Sequence, residues 1–365
     1  MNREDTANNT TTLFFSLIKC ALGNESKLPW TPSEMEWNEL YDTAKRQTLL
    51  GIAFTGIEII PKEQRPASEL LIKWHHQYMR IRSLNTEHTK KAIAVSEKFK
   101  SEGFRNCILK GQGIAQYYPN PSMRTPGDID IWLEGGSEKV ISYVREICPD
   151  CKPKYHHVDF PVIEGTDIEI HYRPTWMYNP INNRKLQEFF AQKSGNEFIN
   201  TVETSDGRMH VPTVAFNLVY IPIHIYRHLF DEGIGMRQIL DYYFVIQQPI
   251  SNKEKEECIS TLKRVGVLRF TRALMYVMQQ MFGLEKNKML VEPDKKQGEF
   301  LLREIMLAGN FGRHDKRFAK SNRGYNITHF KNQAKRSLML ITKHPSETLC
   351  NPLFKIWHTL WRRSH

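Results

Sequence analysis

Apolar residues recur at helical spacing over the first hundred positions, and the period then changes. Residues 13–22 predict a helix ending near Gly23, behind a polar stretch, 2–12, expected to fray. Thr31-Pro-Ser-Glu-Met35 reads as a helix start, with Pro32 in the first turn and acidic residues following. The helical pattern runs on to Ile60, with breaks near Gly51 and Gly56. Over 67–101, Leu70, Ile72, Trp74, Tyr78, Ile81, Ile93, Val95 and Phe99 mark one long helix. No chemical constellation stands out in this part.

After Gly103 short alternating runs take over. Residues 105–109 predict a buried strand, 112–118 a short helix, and 119–127 a loop dense in proline and glycine. Asp128-Ile-Asp-Ile-Trp-Leu133 alternates as a strand, 137–147 returns to helix, and 154–163 and 166–172 form two strands joined through Glu164-Gly165. The chain is irregular from Pro174 to Arg184 and then helical to Lys193; a short strand pair fits within 198–211 about Asp206-Gly207. Helical pieces follow at 213–230, 235–247, 252–265, 267–282 and 296–308, then a basic, less regular region over 310–336 and an amphipathic helix over 353–362. The expected class is α+β. A small mixed-sheet core, 104–211, is flanked by a helical N-terminal region, 1–103, and a helical C-terminal region with a basic tail, 212–365.

A length of 365 residues allows two or three domains, and 40% hydrophobic with 25% charged residues describes a soluble globular chain. The net charge of +11 suits an anionic partner (nucleotide, nucleic acid or lipid headgroup) as well as plain surface basicity. The most apolar stretch, 211–230, is interrupted by Asn217, His224, Arg227 and His228, so no membrane span is expected. The N-terminus does not read as a signal peptide. Six scattered cysteines fit reduced thiols, and the expected compartment is the cytoplasm.

Strand alternation puts Asp128 and Asp130 on one face and Ile129 and Ile131 on the other, and Glu169 alternates with Ile168 and Ile170 in the same way. On neighbouring strands these three carboxylates converge, and their mutual repulsion calls for divalent cations. Such a trio can hold two ions that polarise a phosphoryl oxygen, activate an attacking hydroxyl and stabilise the leaving oxygen. Mg²⁺ suits the all-oxygen donor set, with Mn²⁺ as an alternative. Lys110-Gly111-Gln112-Gly113, between a strand and a helix, offers close backbone approach to a phosphate, and Lys110 or Arg124 can add positive charge or pair with the carboxylates.

This order of parts resembles the polymerase-β-like nucleotidyltransferase superfamily: a strand ending in glycine, a loop, Asp-x-Asp on a second strand and a lone acid on a third. The longer wording resembles a bacterial branch described as uncharacterised nucleotidyltransferases. It comprises Leu-Lys-Gly, Tyr-Tyr-Pro, Arg-x-x-Gly-Asp-Ile-Asp and Ile-Glu-Ile-His-Tyr-Arg, followed by His224-Ile-Tyr-Arg-His228 and Arg237-x-x-x-Asp241, and covers roughly 105–245. The resemblance implies that Asp128 and Asp130 bind two Mg²⁺ ions and that Glu169 is the third carboxylate, orienting or deprotonating the acceptor. A nucleoside triphosphate would be the donor, and the acceptor a hydroxyl on an unidentified small molecule, protein or RNA. One departure is Gln112, where the superfamily has Ser or Gly; the phosphate-touching serine is absent, and Lys110 is its substitute. A catalytically degenerate nucleotide- or partner-binding module of the same fold is the alternative.

Other residues invite weaker readings. His224 and His228 share a helix face as core or cleft-lining groups, without the Glu of a zinc protease motif, and Arg237 is expected to pair with Asp241. Cys148-Pro-Asp-Cys151 with His156 and His157 suggests zinc, but it is a single Cys pair, and on a strand the two histidines point to opposite faces. His156, Asp159 and His171 can instead flank the metal site. Arg323 and His329 have the spacing of a helical ribonuclease motif, which Gly324 and Asn326 oppose. The basic run 313–336 reads as solvated surface or an RNA groove, and the helix carrying Trp357, Trp361, Arg362 and Arg363 as docked on the body rather than on a membrane.

Overall fold

The shift to short alternating runs after Gly103 coincides with the first strand in the computed structural model, which describes residues 3–161, 165–318 and 325–364. Four helices precede it: α1 Arg3–Ala21, α2 Glu34–Arg46, α3 Leu50–Ile59 and α4 Ser68–Ser101. The stretch expected to fray belongs to α1, which is tied down by a hydrogen bond from Thr10 to Glu39 of α2. A reciprocal Ser33–Glu36 capping box opens α2, which leaves Pro32 ahead of the helix rather than in its first turn. Gly51 and Gly56 do not break the helix; both lie inside α3. A Cβ at 51 would meet the Met123 carbonyl oxygen at 2.4 Å, and one at 56 the Leu17 carbonyl oxygen at the same distance. These glycines let α3 press against the loop before Asp128 on one side and α1 on the other.

The α/β part runs β1 Asn106–Ile108, α5 Gln112–Ala115, β2 Ile129–Leu133, α6 Gly136–Ile147, β3 His157–Asp159 and β4 Ile168–His171. The sheet order is β1-β2-β4-β3, with β2 and β4 parallel and the two outer pairs antiparallel. The expected Glu164 turn lies outside the described residues. Next come α7 Pro180–Glu197 and a hairpin of β5 Thr201–Thr204 and β6 Gly207–His210. Helix α7 begins earlier than expected because the Asn179 side chain caps the Ile181 and Asn182 N–H groups, with Pro180 at the first helical position.

The C-terminal helices are α8 Val214–Asp231, α9 Met236–Ile246, α10 Asn252–Arg264, α11 Leu268–Phe282, α12 Lys295–Ala308, α13 Tyr325–Leu340 and α14 Pro345–Ser364. Helix α13 replaces much of the basic region expected to be irregular and takes in Asn326; Arg323 and Gly324 lie outside the described residues. Helix α14 docks through Phe354, stacked on Trp176, while Leu349, Leu353, Ile356 and Leu360 face outward.

One face of the sheet packs Ile129, Ile131, Val158, Ile168 and Ile170 against Val95 and Phe99 of α4 and Val140 and Val144 of α6. The opposite face is therefore left for chemistry, bounded by Trp132, whose ring stacks on Phe216. The cysteine expectation needs correction. Cys148 and Cys151 are disulfide-bonded, because the turn after α6 folds back with Cys151 N–H on the Cys148 carbonyl, which leaves Cys20, Cys107, Cys258 and Cys350 as free thiols. Among the described residues no helix is long and apolar enough to cross a membrane.

Candidate functional site

Strand register does the gathering. Asp130 lies opposite Glu169 across β2 and β4, Asp159 opposite Glu169 across β3 and β4, and His157 opposite His171. Directly opposed residues share a sheet face, so carboxylates and imidazoles line up against each other. Asp128 immediately precedes β2, and donor oxygens of Asp128, Asp130 and Glu169 all lie within 4.8 Å of one another.

Two cations compensate this charge. Lys110 Nζ is 3.0 Å from Asp130 Oδ1 and 3.6 Å from Asp128 Oδ2. His171 Nε2 is 2.8 Å from Asp130 Oδ1 and 3.4 Å from Glu169 Oε2. The Lys110 charge holds the Asp128 carboxyl below its ordinary range, whereas burial and the neighbouring Asp128 raise that of Asp130. Burial works against ionised Glu169, but the His171 hydrogen bond and the charges of His157 and Lys110 keep it well below the usual value. Burial also opposes a charged His171, yet Asp130 and Glu169 carry it up to about 9. Asp130 Oδ2 is buried without a hydrogen-bond partner. An orphaned carboxylate oxygen beside two more acids fits a hard cation, and Asp128, Asp130 and Glu169 are the residues suited to hold a divalent ion.

The glycine loop serves partly in packing. Leu109 N–H bonds the Asp130 carbonyl at 2.9 Å and fixes Lys110 over the acids. Gly111 turns with φ 56° and ψ −111°, a conformation that favours glycine, and a Cβ there would face the Asp128 carbonyl. Lys110 and Gly111 line a small cavity with Asp128, Tyr220 and His224. Gln112 and Gly113, expected at the phosphate, do not line it. The Gln112 amide donates to Thr89 Oγ1 at 2.8 Å on α4, and a Gly113 Cβ would meet the Ile108 carbonyl at 2.7 Å.

Arg124, also expected at the phosphate, does line this small cavity, but its guanidinium is tied to Asp241. Its Nε and one terminal nitrogen each bond an Asp241 oxygen at 2.8 Å, and Tyr118 adds a third bond at 2.7 Å. The expected Arg237–Asp241 pair is therefore not formed, because Arg124 already takes both oxygens. Arg237 donates instead to the Thr125 and Pro126 carbonyls, its Nε has no partner, and burial with the charge of Arg124 lowers its pKa to about 10. It lines a cleft of about 730 Å³ together with Asp128, Asp159, Glu169 and Arg313. No motif spacing singled out Arg237 for the cleft.

The N-terminal region, silent in sequence, also reaches the site. Asn85 and His88 of α4 bond the Arg124 and Gly127 carbonyls at 2.6 and 2.5 Å and hold the loop that delivers Asp128. His224 and His228 are buried and in contact at 3.0 Å, with His224 on the small cavity. His156 lies just before β3, so strand alternation does not apply to it. Its Nε2 is 2.8 Å from His157 Nδ1, and both rings gather with His171 instead of pointing apart.

Carboxylates on adjacent strands of a small mixed sheet, beside a glycine turn and a buried lysine, describe an α+β protein with a nucleotidyltransferase-like arrangement. Residues 33–283, more than half of the chain, match the family described as uncharacterised nucleotidyltransferase, and the chain belongs to that family. No curated protein matches it. A solved antigenic nucleotidyltransferase-like protein from Paracoccidioides brasiliensis is similar at 10% identity and a TM-score of 0.29, over 50% of this chain and 94% of that one.

Proposed function

We propose that the chain is a metal-dependent nucleotidyltransferase of the polymerase-β-like type, moving a nucleoside monophosphate from a nucleoside triphosphate to an acceptor hydroxyl. The observation that carries this reading is the convergence of Asp128, Asp130 and Glu169 within 4.8 Å, with Asp130 Oδ2 left unpartnered. Bound Mg²⁺ would supply charge neutralisation for the phosphates and lower the pKa of the attacking hydroxyl. In the reaction the acceptor oxygen bonds to the α-phosphorus, the bond from that phosphorus to the oxygen bridging to the β-phosphate breaks, and pyrophosphate leaves.

The residues divide the work. Asp128 and Asp130 hold the cation positions. Glu169, kept ionised by its histidine neighbours, orients the acceptor hydroxyl and accepts its proton. Lys110, held over the carboxylates, and Gly111 beside Asp128 meet the phosphates, and Arg237 supplies the cleft cation expected from Arg124. The core 104–211 carries the chemistry, and the regions 1–103 and 212–365 wall the cleft.

The test is thermal stabilisation by each of the four ribonucleoside triphosphates, with and without Mg²⁺, in wild type, Asp128→Ala and Asp130→Ala. A Mg²⁺-dependent shift that disappears in both variants is the expected result. Turnover that survives unchanged in both would overturn the mechanism, and nucleotide stabilisation without pyrophosphate release would leave a binding module in its place.

A further inference from the structure

We propose that His157, His171 and Glu169 form a second metal site, for a divalent transition ion of the zinc or iron class, beside the carboxylate trio and sharing Glu169 with it. The donors are gathered by register: His157 opposes His171 across β3 and β4, and Glu169 lies two residues from His171 on the same sheet face. Donor atoms of these three residues and His156 lie within 4.8 Å of one another.

The spacings are those of ligands around an ion. His157 Nε2 is 3.5 Å from Glu169 Oε1, and His171 Nε2 is 3.4 Å from Glu169 Oε2. Ligands held about 2.0–2.2 Å from a tetrahedral ion stand roughly 3.3–3.6 Å apart. Neither spacing has the length of a strong hydrogen bond. His157 Nε2, on a ring 4% exposed, is aimed at Glu169 and Asp159 yet makes no hydrogen bond of acceptable alignment.

The outer nitrogens are already engaged. His171 Nδ1 faces the Arg173 carbonyl at 3.3 Å, and His157 Nδ1 faces His156 Nε2 at 2.8 Å, with the His156 ring packed on Trp176. Placing the protons on these outer nitrogens leaves both Nε2 lone pairs free on the carboxylate side, that of His157 beside Asp159 and Glu169 and that of His171 beside Asp130 and Glu169, the outer-shell arrangement that orients metal-bound imidazoles. Without an ion, His171 Nε2 shares its proton with Asp130. A bound ion takes that proton's place, and Asp130 Oδ1 keeps Lys110 at 3.0 Å. Two imidazoles and a carboxylate suit zinc or ferrous iron, whereas the neighbouring all-oxygen trio suits magnesium.

The probe is Co²⁺, titrated into metal-free full-length protein in excess Mg²⁺ and read by visible absorption. One Co²⁺ per chain is expected, retained in Asp128→Ala and bound at least about tenfold more weakly in His157→Gln, the loss an outer-shell partner alone can cause. Absence of a Co²⁺ spectrum in the wild type, or undiminished binding in His157→Gln, would overturn the site. Equal loss in Asp128→Ala would also overturn it by moving the ion to the carboxylate trio. X-ray absorption of zinc-loaded wild type is independent of any variant's folding: imidazole scattering from two histidines is expected, and a shell of oxygen alone would refute the assignment. None of these readouts depends on nucleotidyl transfer.

Discussion

Arg124 and Arg237 flank the same loop, and their surroundings give them opposite work. Arg124 is buried against Asp241 with both carboxylate oxygens engaged, so Arg124→Met strands a buried negative charge. That change is expected to cost about 3–5 kcal/mol, read by urea unfolding. Arg237 hydrogen-bonds only to carbonyls, has a buried Nε without a partner, and lines the cleft. Arg237→Gln is therefore expected to lose less stability but to weaken Mg²⁺-nucleotide binding roughly tenfold or more, checked by calorimetry. The swap was hidden in the sequence for a physical reason. The i,i+4 spacing of Arg237 and Asp241 favours a local pair, whereas the partner that wins is separated by 117 residues and exists only once the loop folds onto α9. The acids themselves were legible, because strand alternation puts Asp128 and Asp130 on one face of their strand and Glu169 opposite its isoleucines on another, and pairing of β2 with β4 joins the two.

At the level of elements, helix α8 starts on a buried carboxylate. Thr213 caps α8, and Glu197 at the end of α7 accepts from the Thr213 N–H at 2.6 Å and from its hydroxyl at 3.2 Å. Burial outweighs these bonds and raises the Glu197 carboxyl from 4.5 to about 7. The folded state thus binds a proton that the unfolded chain releases, so this contribution to stability is complete below pH 4.5 and is lost as pH rises through about 7. Glu197→Gln, which mimics the protonated group, should match wild type near pH 4.5. At pH 8 it should be more stable by about 1–3 kcal/mol, measured by thermal melts across that range. The helices from α8 to α12 were legible almost to the residue, since each has a continuous apolar stripe and several carry a readable cap. Gly51 and Gly56 misled because a glycine that admits a neighbouring backbone looks, in sequence, like one that ends a helix. His156 misled because it lies before the strand whose alternation was applied to it.

Across the whole molecule, the helices before and after the sheet share one hydrophobic core. Leu13, Phe14 and Leu17 of α1 are fully buried in the same cluster as Tyr243 of α9 and Phe270 and Met278 of α11. That continuity was not legible, because apolar stripes on separate helices do not reveal which stripes meet. It also ties the N-terminal helices to the chemistry. The Thr48 carbonyl accepts from Thr125 at 3.1 Å, Gly51 sits against Met123, and His88 bonds Gly127, so the loop leading into Asp128 rests on α3 and α4. Leu17→Ala removes side-chain volume at the contact of α1 with α3 and should cost about 2–5 kcal/mol. Because the same cluster takes in Leu109 and Trp132 beside and on β2, that loss should lower a single unfolding midpoint, identical by tryptophan fluorescence and by far-ultraviolet circular dichroism. It should carry the Mg²⁺-nucleotide stabilisation down with it, although Leu17 contacts neither nucleotide nor metal. Two separated transitions, with the nucleotide-stabilised one unmoved, would mean that α1 and the sheet unfold independently and that the shared core does not couple them.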